Sequence, residues 1–247
     1  MEEAKMTELK TTADVFDIMH TCRAMRRLRP DPVPEELLVK LVDAAIHAPS
    51  SSNAQNWRFV IVRDREQKRR IAELWRAGAA WYRDTIGAAP PREGEDQDQR
   101  LRSQRALQYM LDHIEDVPAI IFLAIKKDAA VAKAVSSPNT ITAAIRHLGL
   151  GGTFRLLRGA GSATAVGIHA TAYPAAQNLL LAARALGLGA VLTTPQLFHP
   201  GRYEELLGLP SDVTLTCVIP VGYPVGKFGP VTRHDPRSMI SWDRWRA

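Results

Sequence analysis

A chain of 247 residues, 46% hydrophobic and 23% charged, has ordinary globular composition and enough apolar residues for a sizeable core. Its formal charge of +6 admits a nucleic-acid surface or an anionic small ligand; the arginines are dispersed and aromatics are only 6%, with no interleaved stacking platform, which argues against nucleic acid. Two cysteines (Cys22, Cys217), a charged N-terminus and no apolar run of about 20 residues argue against structural zinc, a disulfide scaffold, a secretory signal and a membrane span, leaving a cytoplasmic protein as the expectation.

In chain order, Ala13 to Met19 read as a short helix leading into a basic segment, and Arg29–Pro34 as a proline-rich turn. Pro34, Glu35 and Glu36 suit a helix start, and Leu37, Leu38, Leu41, Val42, Ala45 and Ile46 form one helical face that Pro49 and a serine run bring to an end. Trp57–Val62 reads as a strand and Arg65–Arg76 as a helix. The next stretch, near 77–105, mixes glycine, proline and charge with Trp81 and Tyr82, and is open to two readings, a lid or a plain surface insertion.

A helix near Ser103–Ile114 precedes Pro118–Ile125, an apolar strand expected to be buried on both faces. The glycines between Lys126 and Ala165 suggest breaks between short helices. Tyr173–Leu186 reads as a helix closed by Gly187 and Gly189, Ala190–Thr194 as a strand, Tyr203–Leu207 as a short helix and Val213–Val221 as a strand. This alternation predicts a mixed sheet flanked by helices, with no repeat and no domain linker.

Several nucleotide and hydrolase signatures are missing. Gly149, Gly151 and Gly152 lack the G-x-G-x-x-G spacing, Gly187 and Gly189 follow a helix instead of opening one, and neither a P-loop nor a G-x-S-x-G elbow occurs. His147, His169, His199 and His234 stand isolated, more in keeping with packed or surface histidines than with metal ligands.

The segment RAMRRLRPDPVP, followed after a helix by APSSSNAQNWRFVIVRD, resembles the N-terminal half of the nitroreductase family. That family's pattern is roughly R-R-S-x-R-x-F, then P-V-P, a helix, and A-P-S-x-x-N-x-Q-P-W. Further on, YPAAQNLLLAARALGLGAVLTT resembles its long central helix and flavin-contacting strand, and VIPVGYPVGKFGPVTRHDP its last core strand and basic loop. Each motif is weak alone; four in order are specific. The resemblance implies an α+β fold with a mixed, mainly antiparallel sheet flanked by helices, in an intertwined homodimer with a flavin at each interface. One FMN-binding domain would span residues 1–247, with variable excursions near 77–105 and 127–167.

It also assigns residues. Arg23, Ala24, Met25 and Arg26, joined by Arg233, would hold the FMN, a role that suits guanidinium groups because they bind phosphate bidentately and stay charged. A solvated basic stretch would account for these arginines too, and Arg27 and Arg29 are left to that reading. Pro49, Ser50, Ser51, Asn53 and Gln55 would meet the flavin of the partner subunit, Asn53 both donating and accepting. Leu192, Thr193 and Thr194 would lie against the central ring, a backbone N–H there pointing at N5. Trp81 and Tyr82 are candidates for the substrate side. This sequence departs from the family at Cys22 (an arginine there), Ala24 (serine), Leu28 (phenylalanine) and Asn56 (proline).

The expected activity is hydride transfer from NAD(P)H, a transient donor, through FMN to an acceptor such as a nitroaromatic or quinone. Related reactions within the fold are reductive dehalogenation, azoline oxidation and flavin fragmentation; a non-catalytic flavin-binding protein is the rival from another class.

Overall fold

The computed structural model describes residues 14–91, 96–129, 133–134 and 137–245, so Ala13, the first residue of the first expected helix, lies outside it. Its helices are α1 (Val15–Thr21), α2 (Glu35–Ile46), α3 (Arg65–Asp84), α4 (Gln97–Asp112), α5 (Pro138–Ala185) and α6 (Arg202–Leu207). Strands β1 (Trp57–Val62), β2 (Ala119–Lys126), β3 (Gly189–Ala190) and β4 (Val213–Gly222) pair antiparallel in the order β1-β2-β4-β3. No helix among the described residues is long and apolar enough to cross a membrane.

The sheet separates two helical layers, and the period of two along a strand decides which side chain enters which layer. Ile121, Leu123 and Ile125 of β2 join Leu38 and Leu41 of α2 and Leu179 of α5. The alternate residues Ile120, Phe122 and Ala124 join Ile71 and Trp75 of α3 and Met110 of α4. On β4, odd-numbered Cys217, Ile219 and Val221 face the α2–α5 layer, whereas odd-numbered Val213 and Leu215 face the other. The change of phase is a β-bulge: Leu123 pairs with Cys217 but Ala124 with Leu215, leaving Thr216 as the extra residue. Thr216 is fully buried and satisfied, its hydroxyl donating to the Leu123 carbonyl (2.7 Å) and its carbonyl accepting from Gln196 Nε2 (2.7 Å).

Helix starts follow the capping logic. Asp14, Asp64 and Asp96 accept backbone N–H bonds at the starts of α1, α3 and α4, and Pro34 with Glu35 and Glu36 opens α2.

Three expectations need correction. The helices beside the stretch near 77–105 are longer than expected: α3 runs past Arg76 to Asp84 and α4 starts at Gln97, before Ser103, with a turn at Ile86–Ala88. Gly78, which looks like a breaker, is a packing residue, since a Cβ there would sit 2.8 Å from Phe198 Cβ. The described part of 127–167 is broken at one glycine only: α5 is two helices that meet at Gly149, whose φ is positive (φ 67°, ψ 177°), the first ending at Leu148 and the second running on to Ala185 through the other glycines. Finally, the strand expected over Ala190–Thr194 is cut to Gly189–Ala190 plus a bridge between Thr193 and Val218. Continuing that register places Val191 opposite Pro220, which has no N–H to give to the ladder.

Candidate functional site

The basic segment is held flat against the end of the sheet. Met25 N–H donates to the Ala190 carbonyl (3.1 Å), Arg29 N–H to the Tyr223 carbonyl (2.8 Å), and Val225 N–H to the Arg27 carbonyl (3.0 Å); Leu28 forms a bridge with Pro224. Met25 and Leu28 are the buried anchors. Gly189 makes the approach possible, because a Cβ there would lie 2.8 Å from Leu28 Cδ2 and 3.0 Å from Met25 Cβ. Leu28, where the family has phenylalanine, thus fills the space over two glycines, 189 and 222.

With the apolar residues turned inward, the arginines take different surroundings. Arg27 lies over the Tyr109 ring of α4 (5.3 Å to the centroid), and Arg29 pairs with Asp31 (3.4 Å) and lies over Tyr223 (5.3 Å). Arg26 is half-buried, has no hydrogen-bond or ionic partner among the described residues, and burial pushes its guanidinium pKa down. Arg23 is exposed and also without a partner among them.

Arg26 lines a cleft of about 1310 Å³ whose other walls come from α3, α4 and the C-terminal loop Thr232–His234. Val231 N–H donates to the His20 carbonyl (3.1 Å), which brings that loop back to the end of α1 and places Arg233 in the same cleft. Several arginines of the walls are already engaged: Arg76 with Glu115 (3.3 Å), Arg83 with Asp84 (3.1 Å), and Arg100 with the carbonyls of Gly87 (3.1 Å) and Ala89 (2.6 Å). Arg26, Arg233 and Arg105 line the cleft with no acidic partner among the described residues. A half-buried cation without an anion is unfavourable unless a ligand supplies one, so the cleft suits a phosphate.

The other expected positions divide. Tyr82 lines the cleft, whereas Trp81 packs on Phe198 (5.5 Å between rings) outside it. Arg23 lies outside the lining as well. The Cys22 thiol faces α5, donating to the Leu180 carbonyl (3.7 Å); burial pushes its pKa up, partly opposed by Arg184. Ala24 is exposed.

Ser50, Ser51, Asn53 and Gln55 form an exposed or half-buried loop that shares no wall with the cleft. Its backbone is strained: Ser52, Asn53 and Gln55 all have positive φ (50°, 53° and 47°). Bonds from Asn53 N–H to the Ser50 carbonyl (3.0 Å) and from Gln55 N–H to Ser50 Oγ (3.1 Å) hold it, while Pro49 stands exposed beside it. Asn56, in place of the family's proline, extends the β1–β2 edge by donating from Nδ2 to the Lys126 carbonyl (2.8 Å) and accepting from Lys126 N–H (2.9 Å).

Leu192, Thr193 and Thr194 are half-buried. The Thr193 N–H is spent on the Val218 carbonyl (2.9 Å), so it cannot be the donor expected for a flavin ring; the Thr194 N–H has no partner among the described residues. Sequence reasoning missed Arg105 and His234 as cleft residues. One sits on a polar helix surface and the other in a loop, and neither carries a local motif.

The family model described as "Nitroreductase family" matches residues 21–223. The chain is 30% identical over 231 residues to an NADH dehydrogenase of Thermus thermophilus, covering 89% of this chain and 91% of that protein. It is 26% identical to an iodotyrosine deiodinase of Thermotoga neapolitana, covering 85% and 88% respectively. Among solved structures, an oxidized iodotyrosine deiodinase bound to FMN and 3-iodo-L-tyrosine superimposes with a TM-score of 0.64 at 23% identity, covering 94% of this chain and all of that one.

Proposed function

The chain belongs to the nitroreductase family, and from that premise we propose that it is an FMN-dependent oxidoreductase carrying hydride from NAD(P)H to an organic acceptor such as a nitroaromatic or a quinone. The observation that carries the cofactor reading is Arg26, half-buried and without an anion in a cleft it shares with Arg233. The two guanidiniums would hold the FMN phosphate, and Tyr82 would line the space beyond it. Bound FMN supplies the hydride chemistry through N5, so no protein acid or base has to be found for that step.

The chain's own contribution is binding and orientation. Met25 and Leu28 fix the arginine segment on the sheet; the Thr194 N–H, unlike that of Thr193, is free to meet a flavin edge. The strained Ser50–Gln55 loop, exposed in one chain and apart from its cleft, suits contact with the flavin of a second copy, so the proposal includes a homodimer. An absorbance spectrum of the purified protein before and after NADPH tests both cofactor and activity. A flavin band that bleaches on addition is the expected result, and a colourless protein that takes up no added FMN would refute the reading.

A second reading is reductive dehalogenation of an aromatic substrate. It is favoured by the similarity to the Thermotoga neapolitana deiodinase over 85% of this chain and 88% of that protein. Turnover of 3-iodo-tyrosine against a nitroaromatic and a quinone, each with NADH and NADPH, decides between the two.

A further inference from the structure

The family motif has an arginine where this chain has Cys22, and the thiol there is turned to the Leu180 carbonyl of α5. Even so, the cleft is not short of guanidinium groups. Arg105, on the α4 wall, is the third arginine in it without an acidic partner among the described residues, beside Arg26 and Arg233. The acids of the same wall are occupied: Asp96 accepts the Gln99 N–H at the start of α4 (3.1 Å) and pairs with Arg102 (3.6 Å), and Asp112 accepts from Gln108 (2.8 Å).

Register on α4 places Arg105 toward the arginine segment. Tyr109, four residues further on and therefore on the same helical face, carries Arg27 over its ring at 5.3 Å. Residue 27 adjoins Arg26. Arg105 is thus one helical turn, about 5.4 Å of rise, from a side chain already in contact with the segment that bears the phosphate ligand. Arg105 and Arg26 both line the one cleft.

We propose that Arg105 is a cofactor-binding residue that supplies to the FMN phosphate the guanidinium the motif lacks at position 22. The inference rests on the FMN reading above. It makes α4 part of the flavin site: cofactor binding ties the α4 wall to the arginine segment, and the phosphate is recognised by residues from three separated parts of the chain.

The test is titration of the flavin-stripped full chain with FMN and with riboflavin, which lacks the phosphate, followed by flavin fluorescence. Wild type should prefer FMN. Arg105→Gln should weaken FMN binding about tenfold, the scale of one partly exposed charge-assisted bond, while leaving riboflavin within about twofold. Arg105→Lys, which keeps the charge but loses the fork, should recover part of the loss. An unchanged FMN dissociation constant in Arg105→Gln would overturn the proposal, and so would equal losses for both flavins, which would mark a structural effect. A wild-type chain that binds neither flavin would overturn the FMN reading itself, an outcome visible before any variant is made.

Discussion

Arg26 and Arg27 are neighbours with the same side chain and opposite circumstances. Arg27 has the face of Tyr109; Arg26 is half-buried with nothing to neutralise it among the described residues. Removing the first should therefore cost the cofactor little, and removing the second a good deal. Arg26→Gln is expected to weaken FMN binding about tenfold or more, whereas Arg27→Gln stays within about twofold, measured by flavin fluorescence. Tyr203 offers the converse case, a polar group that burial leaves unserved. Its ring is fully buried, its hydroxyl has no partner among the described residues, and burial pushes its pKa above the usual phenol range. Tyr203→Phe keeps the ring and deletes the unsatisfied hydroxyl. It should raise stability by about 1 kcal/mol, read as a melting point higher by about 2–4 °C in a chain of this size. A lower melting point would mean that the hydroxyl has a partner.

At the scale of elements, what was legible in the sequence depended on whether local pattern or distant pairing decides. The apolar, β-branched run Trp57–Val62, the apolar run of β2 and the α2 face that buries Leu38, Leu41 and Ala45 are set by burial and could be read directly, although Ile46, assigned to that face, is exposed. The bounds of β3 could not, because the residue that shortens it, Pro220, lies on β4 and meets Val191 only through register. Nor could α5, where glycine has two meanings: Gly149 breaks the helix at positive φ, while Gly151, Gly152, Gly159 and Gly161 stay within it. The cleft was half legible. Arg26 and Arg233 carry the family pattern, but Arg105 is one polar residue on an amphipathic helix, and only the packing of α4 gives it meaning. The bulge at Thr216 was likewise invisible, yet it sets which side of the sheet Cys217 enters. Thr216→Val keeps the β-branched shape and removes the hydroxyl that serves the Leu123 carbonyl. The carbonyl is then buried without that bond, and stability should fall by about 1–3 kcal/mol in urea unfolding. A loss below about 0.5 kcal/mol would mean that the bulge does not depend on this hydrogen bond.

Taken as a whole, one copy of the chain leaves two things unfinished: apolar surface and a separated site. Before the break at Gly149, α5 exposes Ile141, Ile145 and Leu148, spaced as one helical face; after it, Leu150, Phe154 and Leu157 repeat that spacing, with Leu150 75% and Phe154 65% exposed. Near the C-terminus Trp242 and Trp245 are 70% and 87% exposed. Contiguous apolar faces of this kind are costly in water and mark association surfaces. The Ser50–Gln55 loop is the second unfinished feature, since it holds a strained backbone outside the cleft its residues would serve. A two-fold pair of chains would resolve both at once, covering the α5 face and presenting the loop of one protomer to the flavin proposed for the other. The full chain should therefore sediment as a dimer. Phe154→Asp combined with Leu157→Asp should shift it toward monomer and lower flavin occupancy together, although neither residue lines the cleft. A wild-type monomer with a full complement of flavin would break this link, and so would a monomeric variant that keeps its flavin, because each would show the site to be complete within one chain.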